Sequence, residues 1–342
     1  MGMEVPEKFG GAGLSFTDSL VIIEEISRVD PAVGALVDIH NTLLNRAVIK
    51  FGSNEQKETY LPRLATDTVG SFAISESGAG SDAFSMRTTA KKVDNDNFLI
   101  NGEKCWISNA QDGDCGLVMV FANANPEIGY KGITAFLVDR NRQGLEVGKK
   151  EDKLGIRASS TCVLAFNDVK VSEQNMIGGL GEGYKVAIGL LNEGRIGIAA
   201  QMLGLARGSF EIGMKYILDR EQFGQSISDF QGMKHQYAQI YTEIEAAHHL
   251  VYSAAALKER ADLGEISEKD FIKEASMAKL YSSQVAEKTA SKVIEWMGGV
   301  GFTKDYPAEK FYRDAKIGSI YEGTSNIQLD TIAKQIIKEF RP

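Results

Sequence analysis

The stretch DFQGMKHQYAQIYTEIEAAHHLVYSAAALKERADLG (229–264) decides the architecture. Met233, Tyr237, Ile240, Ile244, Ala247, Val251 and Ala254 follow one another in alternating steps of four and three. Apolar and small residues on a period of about 3.5 form a seam along one helix face, the pattern of a helix packed in a bundle. The loop at Gly264 ends the segment. Ser267 and Asp270 then have capping-box spacing for a next helix, which runs to Trp296-Met297-Gly298-Gly299. A last helix follows Thr324-Ser325-Asn326, with Ile332, Ile336 and Phe340 on one face. With a long helix over 184–219, this makes four helices on short links, which predicts a four-helix bundle.

Outward from the bundle the texture changes. Between about Gly70 and Val171 helical stripes give way to short apolar runs: SFAIS (71–75), FLING (98–102), LVMVFA (117–122), ITAFLVD (133–139) and CVLAFNDVKV (162–171). Asp94-Asn95, Asn101-Gly102 and Asp112-Gly113 punctuate them, so an antiparallel β domain is expected. Residues 14–66 read as helices again. Leu20, Ile23, Ile26 and Val29 form one stripe, which Asp30-Pro31 interrupts. Val37, His40, Leu44 and Val48 form a second, and a third helix is expected before Leu61-Pro62. The chain is therefore expected to be an α+β multidomain protein: an N-terminal α-helical domain (1–69), a middle β domain (70–175) and a C-terminal four-helix bundle (176–342).

Composition narrows the function. The chain has 342 residues and a net charge of −8, and no part of it is basic, which argues against nucleic acid as a partner. No apolar run approaches the roughly 18 residues of a membrane helix. Cys105, Cys115 and Cys162 are too few for a disulfide framework and suit a reducing compartment. The start, MGMEVPEKFGG, carries no signal-peptide core or transit pattern.

Several chemical motifs fail on context. GAGSDA (78–83) fits a dinucleotide fingerprint, but strand-like MRTTAKKVDNDNFLING follows where a helix is required. A loop whose small residues admit close approach of a cofactor is the other reading. Glu245 and His248 have the E-x-x-H spacing of a di-iron bundle, without the second copy such a site needs. There is no C-x-x-C for zinc and no G-x-S-x-G for a serine nucleophile. The densest unusual segment is EWMGGVGFTKDYPAEKFYRDAKIGSIYEGTSNIQL (295–329). In it Glu322 stands in Ile-Tyr-Glu-Gly, ahead of polar residues that start a helix. Apolar neighbours would desolvate its carboxylate and make it a base near neutrality; a surface glutamate of the cap region is the alternative.

Six motifs, in order, resemble the acyl-CoA dehydrogenases: FAISESGAGSD (72–82), KCWISNA (104–110), LNEGRIGIAAQMLG (191–204), DREQFGQSISDFQ (219–231), EWMGGVGF (295–302) and YRDAKIGSIYEGTSNIQ (312–328). The resemblance covers nearly the whole chain and is strongest to the short/branched-chain (2-methyl-branched) members. It implies an α domain, a middle barrel-like antiparallel β domain and a C-terminal four-helix bundle. By the same comparison the N-terminal domain is expected to be truncated, since the chain begins near the family's EVPEKFGG segment.

The resemblance also implies residue roles. Glu322 matches the glutamate that removes the α-proton of an acyl-CoA, while hydride passes from the β-carbon to flavin N5. The alternative base of some relatives falls at Gly194. Phe72, Ile74, Ser75, Gly80 and Ser81, with Trp106, Ile107 and Ser108, match stretches that line the flavin. Arg220, Gln231, Glu295, Trp296, Met297, Gly298 and Gly299 match segments that hold FAD across a subunit interface. Thr324, Ser325 and Asn326 match contacts near its pyrophosphate, where a helix N-terminus suits an anion. Ser81, Tyr130, Tyr184, Asn192, Glu193, Gly194 and Arg195 match acyl-CoA contacts. The implied partners are electron-transferring flavoprotein and further copies of the chain, at least a dimer and commonly a tetramer, in the mitochondrial matrix. Ser77 stands where many relatives have proline. Three alternatives share these residues: the reverse reaction on a 2-methyl-branched enoyl-CoA, an acyl-CoA oxidase, and a catalytically silent flavin-binding scaffold.

Overall fold

The structure is a computed structural model that describes residues 1–341. Its helices are α1 (Phe16–Val29), α2 (Pro31–Asp38), α3 (Arg46–Phe51), α4 (Asn54–Thr66), α5 (Gly183–Asp219), α6 (Gln231–Asp262), α7 (Ile272–Met297), α8 (Ala308–Ala315) and α9 (Ser325–Phe340). Its strands are β1 (Thr68–Ala73), β2 (Thr89–Lys92), β3 (Asn97–Ser108), β4 (Cys115–Asn123), β5 (Ile133–Asp139), β6 (Leu145–Val147), β7 (Thr161–Ser172) and β8 (Met176–Ile177), then a short hairpin of β9 (Glu221–Gln222) and β10 (Gln225–Ser226). The chain forms two compact units.

The first unit comprises Met1–Ser15, Leu36–Asp152 and Ala158–Gly194. Its sheet runs β6-β7-β3-β2-β4-β5-β8, with β1 on β4. The expected antiparallel arrangement holds for most pairs, but β1 and β2 both pair with β4 in parallel. β4 shows why this segment reads as an unbroken apolar run. Leu117, Met119 and Phe121 enter one core with α3 and α4, whereas Val118, Val120 and Ala122 enter a second core inside the sheet. A strand buried on both faces has no polar face to alternate with. Each fully buried side chain of this kind contributes about 1.5–3 kcal/mol.

Two local features differ from expectation. The helix foreseen before Leu61-Pro62 instead carries Pro62 in its interior. A capping box at Ser53 and Gln56 starts α4, and buried Tyr60, Leu61 and Leu64 anchor it on both sides of the proline. Between α2 and α3, Ile39–Asn45 forms a buried π-helical turn. There His40 bridges two elements: its Nε2 lies 2.9 Å from the carbonyl of Leu64, and its Nδ1 accepts from the amide of Gly70 at 2.9 Å. An accepting Nδ1 means a neutral ring. Burial lowers its pKa to about 4.

The second unit comprises Phe16–Ala35, Lys153–Arg157 and Arg195–Pro342. The four long helices expected are α5, α6, α7 and α9, joined by the short α8. Along α6, Ile240, Ile244, Ala247, Val251 and Ala254 are buried, while Met233 and Tyr237 are half-buried. Ser267 and Asp270 make the foreseen cap contact (Ser267 N to Asp270 Oδ2, 2.9 Å), one turn ahead of the start of α7 at Ile272. α1 belongs to this unit. Its Glu24 is buried and takes Arg207 at 2.7 Å and the Tyr252 hydroxyl at 2.6 Å.

Candidate active site

In the second unit the site is built on the turn between α8 and α9. Glu322 has φ +49°, and Gly323 follows at φ +85°. A left-handed conformation costs a residue with a Cβ on the order of 1–2 kcal/mol, so the surroundings must hold it. They do so through main-chain carbonyls. Gln328 Nε2, one turn into α9, donates to the carbonyls of Glu322 (2.9 Å) and Gly323 (3.0 Å). Lys279 Nζ on α7 donates to those of Gly318 (2.6 Å) and Gly323 (2.7 Å). The Tyr321 hydroxyl donates to Gln201 Oε1 on α5, and Gln201 Nε2 donates to the carbonyl of Pro31 at 2.6 Å.

The carboxylate held there is unlike a surface glutamate. Its Oε2 is shut off from solvent and has no hydrogen-bond partner. Burial raises the Glu322 pKa to about 7, against the opposing pull of Arg195 and Lys279. Burial in turn lowers Lys279 to about 8 and depresses Arg195. Arg195 Nη1 lies 3.3 Å from Ser276 Oγ. A carboxyl group raised toward neutrality has the pKa that general-base chemistry at neutral pH requires.

Further residues foreseen as cofactor contacts divide into open backbone and buried side chains. Thr324 caps α9, with Oγ1 accepting from the amide of Ile327 at 3.4 Å, so Ser325 and Asn326 form its first turn. Trp296 and Met297 are buried; Trp296 Nε1 donates to Gln236 Oε1 at 3.2 Å. Glu295 is exposed and paired with Lys292 at 2.6 Å. Gly298 has φ +64° and ψ −142°, a conformation only glycine takes freely, and at both Gly298 and Gly299 a Cβ would meet nothing within 4 Å. Arg220 and Gln231 are exposed. Arg220 lines a cavity of about 400 Å³ with Lys215, Tyr216 and Tyr306. Glu245 and His248 sit on α6, and no metal-holding cluster occurs among the described residues.

The first unit carries the other set. After β1 the chain does not enter a helix but turns through Ser75–Arg87 to β2, so the dinucleotide fingerprint at 78–83 lies on a loop. Phe72 and Ile74 point into the core, while Gly80 and Ser81 are exposed and Ser75 is half-buried. Trp106 has φ +61° at an irregularity in the β3–β7 pairing, and its side chain is 66% exposed, whereas Ile107 is buried and Ser108 half-buried. Tyr184 stacks obliquely on Phe84 (4.6 Å) and on Tyr130 (4.7 Å). Asn192 Nδ2 donates to the carbonyl of Ile188 at 3.2 Å, and Gly194 is buried. The Glu193 carboxylate is 1% exposed and paired with Arg46 (2.7 Å) and Lys50 (3.2 Å), so its side chain serves α3.

Sequence reading missed the group that shapes this loop. Glu76 accepts from Lys104 Nζ (2.8 Å), from the amide of Arg87 (2.7 Å) and from the amide of Thr88 (3.0 Å). Lys104 is fully buried and also donates to the carbonyl of Ile74 at 3.0 Å. Asn109, at φ +66°, adds donations to the carbonyls of Leu36 and Gly70, each 3.1 Å. Glu76 and Lys104 fall inside two of the quoted motifs, but 28 residues apart, and no local spacing pairs them.

Comparison with known proteins agrees along the whole length. Family models match residues 1–68 (acyl-CoA dehydrogenase, N-terminal domain), 71–169 (middle domain) and 181–337 (C-terminal domain). The short/branched chain specific acyl-CoA dehydrogenase, mitochondrial, of Rattus norvegicus is 57% identical over 99% of this chain and 76% of its own length. Among solved structures, butyryl-CoA dehydrogenase from Megasphaera elsdenii has a TM-score of 0.92 at 36% identity, over 98% of this chain and 86% of that one. A chain solved in work on the electron transferring flavoprotein of Acidaminococcus fermentans has a TM-score of 0.93 at 39% identity, over 98% and 86%. An acyl-CoA dehydrogenase complexed with FAD from Bacillus anthracis has a TM-score of 0.90 at 31% identity, over 99% and 59%. With three family models in sequence order and a relative identical at 57% of the aligned positions, the chain belongs to the acyl-CoA dehydrogenase family.

Proposed function

We propose that the protein is an FAD-dependent oxidoreductase that desaturates the α,β bond of short straight or 2-methyl-branched acyl-CoA thioesters, with Glu322 as the α-proton base. The observation that carries this is Glu322 itself, a buried carboxylate with a pKa of about 7 on a strained, clamped turn. The residues present fit FAD. Gly298 and Gly299 leave room at their Cα atoms, Trp106 projects outward, and the capped start of α9 offers amides to a pyrophosphate. Ser75 and Ser108 would hold it with Trp106, and Arg220 and Gln231 would act with Gly298 and Gly299 on the FAD of another copy, across a subunit interface. When bound, FAD supplies the acceptor for the hydride that leaves the substrate β-carbon.

The protein's own part is the proton. The α C–H bond breaks, its proton goes to a Glu322 oxygen, and the electron pair becomes the new double bond as hydride departs. A carboxylate of ordinary pKa in water is too weak for this. One raised toward 7 by exclusion of water is a stronger base and is half ionised at pH 7 and mostly ionised at pH 8. Hydrogen-bond donors aimed at the thioester oxygen in a dry site contribute about 3–4 kcal/mol more. Ser81, Tyr130, Tyr184, Asn192, Gly194 and Arg195 stand at the positions that orient the acyl-CoA. Buried Glu193 shapes the start of that segment.

The remaining roles follow from the relatives. Electron-transferring flavoprotein is the proposed acceptor, supported by the similar chain solved with work on that protein. A mitochondrial location, within it the matrix, is proposed; the rat relative's name supports the mitochondrion. Phe223, 95% exposed, and Phe302, 85% exposed, support covering by further copies, in a dimer of dimers. No helix among the described residues is long and apolar enough to cross a membrane. The functional divisions proposed are residues 1–69, 70–175 and 176–342. The test is anaerobic addition of 2-methylbutanoyl-CoA or butanoyl-CoA to purified protein. Bleaching of the oxidised-flavin band is expected. Glu322→Gln should retain flavin and lose at least about a thousandfold in bleaching rate, as expected when a base and its activation are lost together. A protein without flavin bands, or a variant that bleaches normally, would refute the proposal.

A further inference from the structure

Lys279, on α7, packs against this turn at the cost of desolvating its charge. It is fully buried, and its ammonium meets two neutral acceptors, the carbonyls of Gly318 and Gly323. It makes no ion pair at contact distance. A neutral donor could hold a carbonyl without desolvating a charge, as the Ser283 hydroxyl already does at the Gly318 carbonyl (2.9 Å). The two carbonyls it binds bracket the base. Gly318 lies within the 3-10 turn Lys316–Ser319 before it, and Gly323 follows it directly. A Cβ at Gly318 would fall 2.5 Å from Met202 Sδ, and one at Gly323 2.6 Å from Gln328 Nε2, so the turn has little room to shift. The charged groups acting on Glu322 are Arg195 on α5 and Lys279 on α7; Gln328 donates to its main-chain carbonyl, and the adjacent Tyr321 is bonded to Gln201.

We infer that Lys279 is a positioning residue for the proton-transfer step: it clamps the 318–323 turn at both ends and supplies the positive charge that keeps the Glu322 carboxylate ionised and ready. The inference rests on Glu322 being the base. It also explains why the clamp is a lysine. Gln328 also donates to the carbonyls of residues 322 and 323, but it brings no charge. The raised carboxylate at about 7 and the lowered ammonium at about 8 leave a window in which both are ionised.

The test uses holoenzyme of Lys279→Met, which removes both donation and charge, and of Lys279→Gln, which keeps a donor. Melting temperature and flavin content report folding. Anaerobic flavin bleaching across pH 5.5–9 gives rate and half-saturation. Infrared difference spectra against Glu322→Gln report the carboxyl band of Glu322 directly, with no turnover required. In both variants the acid limb of the rate and the infrared titration should move up by about one pH unit, since a nearby cation is gone. Lys279→Met should also lose about thirtyfold in limiting rate with half-saturation changed less than about threefold, the pattern of lost orientation rather than lost binding. Folded variants whose limb and infrared titration stay in place would overturn the inference, and so would failure of both variants to fold, which would make Lys279 a stability element first. If Glu322→Gln itself bleaches normally, the base assignment fails instead, and the two failures are told apart.

Discussion

Replacing Lys104 by Met tests whether the loop after β1 is held by one buried pair. The substitution keeps the length of the side chain and removes the ammonium. Glu76 would be left with two amide donors, at 2.7 and 3.0 Å, and no counter-charge. Breaking a buried pair from one side costs about 3–5 kcal/mol, because a charge stays behind unpaired. The surviving amides put the expected cost at the lower end, about 3 kcal/mol. Glu76→Gln in the same background removes the stranded charge, so the double variant should recover about 1–2 kcal/mol of that loss. At about 2–3 °C per kcal/mol in a chain of this size, Lys104→Met should melt roughly 6–9 °C lower. The assay is thermal melting of the four proteins of the cycle at pH 7. The sign of the pH dependence follows from Glu76. Burial raises its pKa, but hydrogen bonds from Lys104, Thr88 and Arg87 outweigh that and hold it below 4.5. Its contribution is therefore full above pH 4.5 and lost as pH falls below it. A Lys104→Met protein melting within 2 °C of the parent, or strictly additive single variants, would refute the reasoning.

Two more predictions rest on single residues. His40 is held neutral with a pKa of about 4, below its ordinary 6.5, so stability should be constant above pH 6.5 and fall by on the order of 3 kcal/mol as pH drops through 4; His40→Asn should flatten that slope in melting curves, and an unchanged slope would count against it. Gly298→Ala forces a Cβ into φ +64°, ψ −142°, and should cost about 1–3 kcal/mol and weaken flavin retention on gel filtration, whereas Gly299→Ala should fold normally.

Much of this was readable from residue spacing. ITAFLVD is strand β5 from first residue to last, and the seam on α6 is buried where its period puts it. At Glu322 the apolar neighbours left a desolvated carboxylate and a surface glutamate both open, and the structure contains the desolvated one. What escaped was non-local. Lys279 is an ordinary lysine on a helix until the turn 39 residues later folds onto it. The parallel pairing of β1 with β4 links residues 68–73 to 115–120 across two intervening strands, and no turn signal encodes such a connection. Pro62 read as a stop because its ring removes a helix hydrogen bond, yet packing on both sides outweighed that local penalty.

The placement of α1 has a practical consequence for fragments. Its Glu24 is the buried partner of Arg207 and Tyr252, Lys258 Nζ lies 4.0 Å from the Phe16 ring centre, and the Thr17 amide donates to Glu259 at 2.8 Å. A polypeptide begun at Arg195 would keep α6 through α9 but lose the strand of sequence that completes their packing. Such a fragment should be soluble only poorly by itself and should be rescued in trans by a peptide covering 16–35. The bundle is thus encoded by two separated stretches of chain, and synthesis from the N-terminus must hold the first in waiting until the second emerges.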